Sequence, residues 1–134
     1  MLALVLILIP KTRKIGLVVM VAVILDSVLC NVILKNIFVR PRPCDVNTAI
    51  NLLIPRPSGY SFPSGHTSAS FAAVAALYFS GERKIWKAAL ALAILIAFSR
   101  MYLYVHYPTD VLGGIICGCA SWWCIRRFSP EKPG

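Results

Sequence analysis

Residues 15–34 of the chain read I-G-L-V-V-M-V-A-V-I-L-D-S-V-L-C-N-V-I-L. This stretch decides the fold, because a helix of about 20 predominantly apolar residues is what crosses the ~30 Å hydrocarbon core of a bilayer. Its interruptions are Asp26, Ser27, Cys30 and Asn31. We therefore predict a membrane-spanning helix over Ile15–Leu34.

The composition agrees with a membrane protein. Of the 134 residues, 58% are hydrophobic and 14% are charged, with a mean hydropathy of +0.74, whereas soluble domains carry about 25% charged residues. The net charge of +9 is better explained by basic loops at the membrane surface than by nucleic acid, which we do not expect as a partner. Four of the five cysteines lie in apolar segments, so they are interpreted as packing residues, and neither a metal ion nor a cofactor is predicted.

Three further spanning helices are predicted, over residues 67–79, 88–105 and 108–125. Pro108 suits the first turn of the last helix, and Gly114 with Gly118 forms a GxxxG pattern that allows close helix packing. Residues 1–9 are apolar but too short to span a bilayer, so we expect them to be the end of a membrane helix whose beginning is absent. The predicted fold is an all-α polytopic transmembrane bundle of four spanning helices plus a partial N-terminal one, forming a single domain over residues 1–134.

Residues 35–65 contain five prolines and interrupt the apolar pattern. We expect a long loop here, with a short interfacial helix over residues 49–54. Loops of this length without secondary structure of their own are usually functional or disordered.

The basic residues predict the orientation in the membrane. If residues 10–14, 81–87 and those after 125 are cytoplasmic, that face carries nine of the fourteen basic residues: Lys11, Arg13, Lys14, Arg83, Lys84, Lys87, Arg126, Arg127 and Lys132. This distribution agrees with the positive-inside rule. The other face then carries Lys35, Arg40, Arg42, Arg56 and Arg100, for which topology gives no reason.

Three outward segments bring polar groups to that second face: Lys35 with Arg42-Pro43, the turn Pro63–His66, and Ser99–Asp110. Both histidines of the chain lie in these segments. Arginine offers a planar fork to phosphate oxygens and lysine a point charge, and a helix N-terminus near Ser64 and Gly65 favours an anion. One histidine can attack phosphorus while the other protonates the leaving oxygen. The pattern predicts a phosphoryl-transfer site, in which Asp110 orients His106.

Simpler structural roles compete with these interpretations. Arg100 can pair with Asp110, Lys35 can extend to the membrane surface, and Ser64 can cap a helix. Arg40 and Arg56 are as well suited to lipid headgroups as to substrate. Asp26 is expected to be protonated or hydrogen-bonded inside the bundle.

The spacing Lys35-x6-Arg42-Pro43, the turn Pro63-Ser64-Gly65-His66 and the pattern Ser99-Arg100-x5-His106-x3-Asp110 together resemble the three-part signature of the type 2 phosphatidic acid phosphatases. That family shares a superfamily with bacterial acid phosphatases and vanadium-dependent haloperoxidases. The resemblance implies His106 as the nucleophile, Asp110 as its orienting partner and His66 as general acid and base. It implies a phosphate-binding role for Lys35, Arg42, Ser64, Gly65 and Arg100, without a metal ion.

The implied function is hydrolysis of a lipid phosphate or diphosphate through a phosphohistidine, in a bacterial plasma membrane with the site on the extracytoplasmic face. Candidate substrates are undecaprenyl diphosphate, phosphatidylglycerol phosphate and phosphatidic acid, with a slight preference for the polyprenyl diphosphate. Alternatives are a vanadate-dependent haloperoxidase and a non-catalytic homologue. Membrane members of the family usually have about six spanning helices, so the resemblance implies that one or more N-terminal helices are missing.

Overall fold

The computed structural model describes residues 1–81 and 84–128, and every regular element within these ranges is helical. The α-helices are Leu2–Leu8 (α1), Arg13–Ser27 (α2), Lys35–Phe38 (α3), Pro43–Val46 (α4), Gly65–Phe79 (α5), Ile85–Tyr102 (α6) and Pro108–Phe128 (α7), and a π-helical segment, Val28–Leu34, joins α2 to α3. The all-α prediction is thus confirmed for the described residues. Arg83 and Lys132, two of the basic residues used to predict topology, lie outside them.

The predicted helix over residues 15–34 forms and is longer than expected, because α2, the π-helical segment and α3 run on without a break from Arg13 to Phe38. It ends where Val39 adopts a left-handed conformation (φ 45°), two residues before Pro41, whose ring cannot continue a helix. The π-helical turn was not predicted, since it depends on local packing rather than on hydrophobic periodicity. Such turns occur frequently at functional sites.

Helix α5 lies at the centre of the bundle and packs against α2, α6 and α7. Its contact with α7 depends on the predicted GxxxG pattern. A Cβ atom at Gly114 would lie 2.7 Å from the carbonyl oxygen of Ser64, and one at Gly118 would overlap the carbonyl oxygen of Ser68. Because only glycine leaves room for this approach, the first turns of α5 and α7 lie side by side.

A cluster of apolar side chains holds the other end of the bundle together. Leu6 of α1, Val19 and Ala22 of α2, Ala76 and Leu77 of α5 and Trp122 of α7 form this buried core. The short helix α1 therefore packs on α2 through its buried Leu6. The core thus lies away from the end where the three polar segments meet.

The loop after α3 differs from the prediction in one respect. The helix expected over residues 49–54 is absent, and a short helix instead forms earlier, at Pro43–Val46, with its proline in the first turn. Within residues 49–54, the side chain of Leu53 is 78% exposed. A helix this short is not stable without tertiary packing, which explains why the segment stays irregular.

The turn between α6 and α7 positions the third polar segment. Helix α6 ends at Tyr102, three residues earlier than predicted, and Tyr104 takes a positive φ of 60°. Helix α7 begins at Pro108, as predicted. The residues between them therefore form a tight turn, which carries His106 next to the start of α7.

The outer surface of the bundle is strongly apolar. Two segments, Arg13–Val46 and Ile85–Tyr102, are long and apolar enough to cross a membrane. Large hydrophobic side chains point outward from α2, the π-helical segment, α6 and α7, including Ile24, Val32, Leu95 and Ile116. Such a surface is expected of helices that contact lipid. The predicted number of four spanning helices remains a prediction.

Candidate active site

The three polar segments predicted from the sequence meet at one end of the bundle, around a cavity of about 500 Å³. Among the described residues, those that line it include Lys35 from α3, Arg42 from the loop, Gly65 and His66 from α5, and Arg100 from α6. Three of the described residues in the lining are basic, and none of them is a carboxylate. A cavity of this charge favours an anion with two or more negative charges.

Arg42 is the most heavily bonded residue of the site and is only 4% exposed. Its guanidinium donates to the carbonyl oxygens of Gly59 (3.0 Å), Val105 (3.1 Å) and Ser58 (3.2 Å). The same group lies 3.2 Å from Nε2 of His106. Since a guanidinium can only donate, Nε2 of the neutral ring is the acceptor, and the ring proton is on Nδ1.

His106 and Asp110 face each other across the first turn of α7. Nδ1 of His106 lies 3.6 Å from Oδ2 of Asp110, and both side chains are buried. This distance is longer than a direct hydrogen bond, so the pairing is chiefly electrostatic. Such contacts in unliganded enzymes often shorten when substrate binds. The structure therefore brings together the nucleophile and the orienting carboxylate that the family resemblance implied.

Asp110 is fully buried, and it is kept in place by several donors. Oδ2 accepts hydrogen bonds from the hydroxyl of Ser61 and from the backbone N–H of Tyr107, the latter at 2.8 Å. Oδ1 accepts from Nη1 of Arg40 at 2.8 Å. A buried carboxylate with several donors and an arginine partner is stabilised in its charged form.

His106 is buried directly behind Arg42 and Val105, which line the cavity, and this position determines its charge. Burial lowers the pKa of His106 below its ordinary value of 6.5, and the positive charges of Arg42 and Lys35 act in the same direction, whereas Asp110 raises it. The neutral ring is therefore favoured. Its Nε2 lone pair is then available to a nucleophilic reaction at neutral pH.

The first turn of α5 forms another part of the wall. A Cβ atom at Gly65 would lie 2.7 Å from Oδ1 of Asn31, so the backbone approaches the π-helical segment as closely as glycine allows. Ser64 is the N-cap residue, but its buried hydroxyl lies 3.0 Å from that of Thr67 and makes no capping hydrogen bond. The alternative interpretation of Ser64 as a side-chain helix cap is therefore wrong, whereas its predicted phosphate contact stays a prediction.

The contacts of several polar residues bear on the competing interpretations. Asp110 pairs with Arg40, whereas Arg100 lines the cavity, so the expected alternative of an Arg100–Asp110 pair is wrong. Arg56 pairs with Asp45 within the loop. Asp26 is fully buried and accepts hydrogen bonds from Ser68 and Ser121, as expected for a carboxyl group inside the bundle.

Sequence reasoning missed Arg40, Ser61 and Asn31 as parts of the site. Arg40 and Ser61 contact Asp110, and Asn31 lines the cavity. For Arg40 a signal did exist, because it is one of the basic residues on the predicted outer face that topology does not explain. Ser61 and Asn31 carry no such signal, since isolated neutral polar residues are common in loops and helices.

This chain is similar to known proteins over most of its length. A model of the PAP2 superfamily matches residues 15–133. Undecaprenyl-diphosphatase of Sulfolobus acidocaldarius is 32% identical over 124 residues, which cover 92% of this chain and 59% of the relative. The crystal structure of Aquifex aeolicus LpxE has a TM-score of 0.79 at 30% identity, covering 95% of this chain and 74% of the other.

The second similar structure is a transmembrane PAP2 type phosphatidylglycerolphosphate phosphatase from Bacillus subtilis. It has a TM-score of 0.71 at 27% identity and covers 95% of this chain and 66% of that chain. Together with the apolar outer surface, this likeness supports a membrane location. The chain spans 59% of the length of its Sulfolobus relative.

Proposed function

This chain belongs to the PAP2 superfamily, and from that premise we propose that it hydrolyses a phosphate or diphosphate ester of a membrane lipid through a phosphohistidine, without a metal ion. The observation that carries the proposal is the cavity itself. Three cations and His66 line it, and Nε2 of His106 lies 3.2 Å from one of those cations. This arrangement suits the binding of a phosphoryl group next to a nitrogen nucleophile.

In the first step, Lys35, Arg42 and Arg100 bind the phosphoryl oxygens, together with the free N–H groups at the start of α5. An oxygen that accepts from Arg42 replaces the contact between Arg42 and Nε2 of His106, which brings phosphorus to that nitrogen. Nε2 forms a bond to phosphorus, and the bond from phosphorus to the leaving oxygen breaks. His66 supplies the proton that this oxygen takes up.

In the second step, the now neutral His66 accepts a proton from water, and the water oxygen attacks phosphorus. The bond from phosphorus to Nε2 breaks, which releases inorganic phosphate from a phosphomonoester and restores both histidines. Asp110 stabilises the positive charge on the His106 ring while the phosphohistidine exists. Gly65 contributes through its backbone N–H at the start of α5. The Ser64 N–H donates to the carbonyl oxygen of Asp110 at 3.0 Å, so Ser64 contributes its hydroxyl, which turns from Thr67 to the phosphoryl group.

The substrate class follows from the surroundings of the cavity. The elements that line the cavity also carry outward-facing apolar side chains, such as Val32 of the π-helical segment and Leu95 of α6. These suit a substrate whose tail stays in the bilayer. We propose undecaprenyl diphosphate, phosphatidylglycerol phosphate and phosphatidic acid as candidates. The undecaprenyl-diphosphatase from Sulfolobus, which matches over 92% of this chain, supports the polyprenyl diphosphate as the first to test.

We also propose a multi-pass topology for residues 1–134, as a single domain with the cavity at the extracytoplasmic face. The described basic residues at the opposite ends of the helices support this orientation: Lys11, Arg13, Lys14, Lys84, Lys87, Arg126 and Arg127. They precede or begin α2, precede or begin α6, or end α7. Their other ends lie toward the cavity: α2 runs on into α3, which carries Lys35, α6 carries Arg100 near its C-terminus, and α7 begins two residues after His106.

The test is phosphate release from a panel of lipid phosphates by purified protein in detergent with EDTA present. We expect release by the wild type and a loss of at least about 10³-fold in His106→Ala. The control is Ile116→Ala, which also truncates a side chain to alanine. Ile116 lies on α7, the helix that follows His106, but it is 69% exposed on the outer surface.

Three results would contradict the proposal at different points. Inactivation of the wild type by EDTA would exclude the metal-free reaction. Full activity in His106→Ala would exclude His106 as the nucleophile. Release from no lipid phosphate at all would favour a non-catalytic homologue.

A further inference from the structure

Arg40 makes three contacts with the turn that carries His106 and Asp110. Its Nη1 lies 2.8 Å from Oδ1 of Asp110 and 2.6 Å from the hydroxyl of Thr109. Its guanidinium carbon lies 4.1 Å from the centre of the Tyr107 ring. Arg40 lies in the loop after α3, about 70 residues from Asp110 in sequence. Its contacts therefore join this loop to the start of α7.

These contacts determine how the Asp110 carboxylate is oriented. Arg40 bonds Oδ1, whereas Oδ2 is bonded by Ser61 and the Tyr107 backbone and faces Nδ1 of His106 at 3.6 Å. Rotation of the carboxylate would break the bond with Arg40. The arginine, together with the donors on Oδ2, therefore fixes the plane of the carboxylate so that an oxygen faces the histidine.

We propose that Arg40 is a positioning residue, which acts on His106 through Asp110 by fixing the orientation of the carboxylate and offsetting part of its negative charge. Its effect on turnover rests on the phosphatase reaction proposed above. Its effect on the charge of His106 does not, because that effect requires only the contacts of the folded protein.

The sign of the effect follows from the charges around His106. Asp110 faces its Nδ1, Arg42 faces its Nε2, and Lys35 of α3 and His66 of α5 lie near enough to influence titration in this site. Removing the positive charge of Arg40 leaves the field of Asp110 less compensated. The protonated form of His106 is then favoured, and its titration should move to higher pH.

The chain contains two histidines, which makes this shift directly measurable. Deuterium exchange at the imidazole carbon, followed by mass spectrometry, reports the titration of His106 and His66 in separate peptides without any substrate. The variants are Arg40→Gln, which removes the charge, and Arg40→Lys, which keeps the charge but removes the fork. Arg56→Gln is the matched control, since Arg56 forms a similar pair with Asp45 in the same loop.

We expect Arg40→Gln to titrate His106 at higher pH and to move the acid limb of kcat/KM in the same direction. In Arg40→Lys, the titration should stay at the wild-type pH, while kcat falls about tenfold because the orientation of Asp110 is less defined. The control should match the wild type in both measurements. If Arg40→Gln does not fold, Arg40→Lys and the control still decide the positioning role.

An unchanged or lowered titration of His106 in Arg40→Gln would overturn the proposal, as would wild-type kcat in Arg40→Lys. A loss of activity in Arg40→Gln without any shift in titration would reduce Arg40 to a structural residue and also overturn it. Absence of phosphate release by the wild type would count against the proposed function alone, because the exchange measurement needs no turnover.

Discussion

Nη1 of Arg42 lies 3.2 Å from Nε2 of His106 and 3.1 Å from the carbonyl oxygen of Val105. One nitrogen of the guanidinium therefore contacts both the proposed attacking atom and the backbone just before it. The rest of the group holds the carbonyls of Ser58 and Gly59. Arg42 thus links the segment between α3 and α5, the α6–α7 turn and the cavity.

Replacing Arg42 with lysine should therefore damage both function and stability. A lysine carries the charge at a single point and cannot replace a fork that bonds three carbonyls and a ring nitrogen. We expect kcat/KM for lipid phosphate to fall by about 10²-fold or more. Buried carbonyls left unpaired should lower the free energy of unfolding by about 1–3 kcal/mol. Kinetics and thermal unfolding of Arg42→Lys and the control Arg56→Lys measure both effects, and equal behaviour of the two variants would contradict the assignment.

The lowered pKa of His106 predicts the pH dependence of the reaction. Burial is the main cause of the lowering, and the neutral ring is the reactive form. As pH rises through this pKa, kcat/KM should increase, and the midpoint of this acid limb should lie below pH 6.5. At higher pH kcat/KM should fall again as His66, whose pKa is also lowered by burial and by Arg100, loses the proton that it donates. In Asp110→Asn, which removes the group that raises the pKa, the acid limb should lie at still lower pH. A wild-type acid limb above pH 6.5 would show that burial of His106 does not disfavour the charged ring.

A general acid is needed most when the leaving group is poor, which separates the roles of the two histidines. In His66→Gln, we expect release from a lipid alkyl phosphate to fall by about 10²–10⁴-fold. Release from an aryl phosphate with an acidic phenol should fall far less, because that oxygen leaves without a proton. His106→Ala should lose both activities. Equal losses on the two substrates in His66→Gln would argue for a binding role of His66 instead.

Asp26 joins three helices inside the bundle. Its Oδ1 accepts from the hydroxyls of Ser68 on α5 (2.5 Å) and Ser121 on α7 (3.0 Å). Asp26→Ala removes this acceptor from both hydroxyls, of which that of Ser121 still has the carbonyl oxygen of Cys117. The substitution should lower the free energy of unfolding by about 1–3 kcal/mol. Asp26→Asn keeps an acceptor oxygen in the same place and should unfold closer to the wild type.

Thermal unfolding in detergent measures this difference, with Asp45→Asn as the control for an exposed carboxylate in the loop. Equal unfolding temperatures for Asp26→Ala and Asp26→Asn would mean that the two hydroxyls do not depend on the carboxyl oxygen. Phosphate release at a temperature where all variants are folded should change little, because Asp26 does not line the cavity.

Prediction from sequence was most successful where the signal is local. The apolar run over residues 15–34, the proline at the start of α7 and the GxxxG pattern each depend on neighbouring residues, and the corresponding helices and helix contact form. Prediction failed for residues 49–54, where a short pattern had no packing partner to stabilise it. It also missed the π-helical turn, for the same reason of tertiary dependence.

The sequence by itself determined the helical, membrane-type character of the chain and the set of residues capable of phosphate chemistry, because hydrophobic pattern and motif spacing are local properties. Only the tertiary structure decided which partner each of the basic residues contacts. It pairs Arg40 with Asp110, directs Arg42 to His106 and leaves Arg100 at the cavity. These pairings join residues 64 and 70 positions apart. They follow from the packing of α5 against α7 and from the path of the segment between α3 and α5. No local pattern specifies either of these.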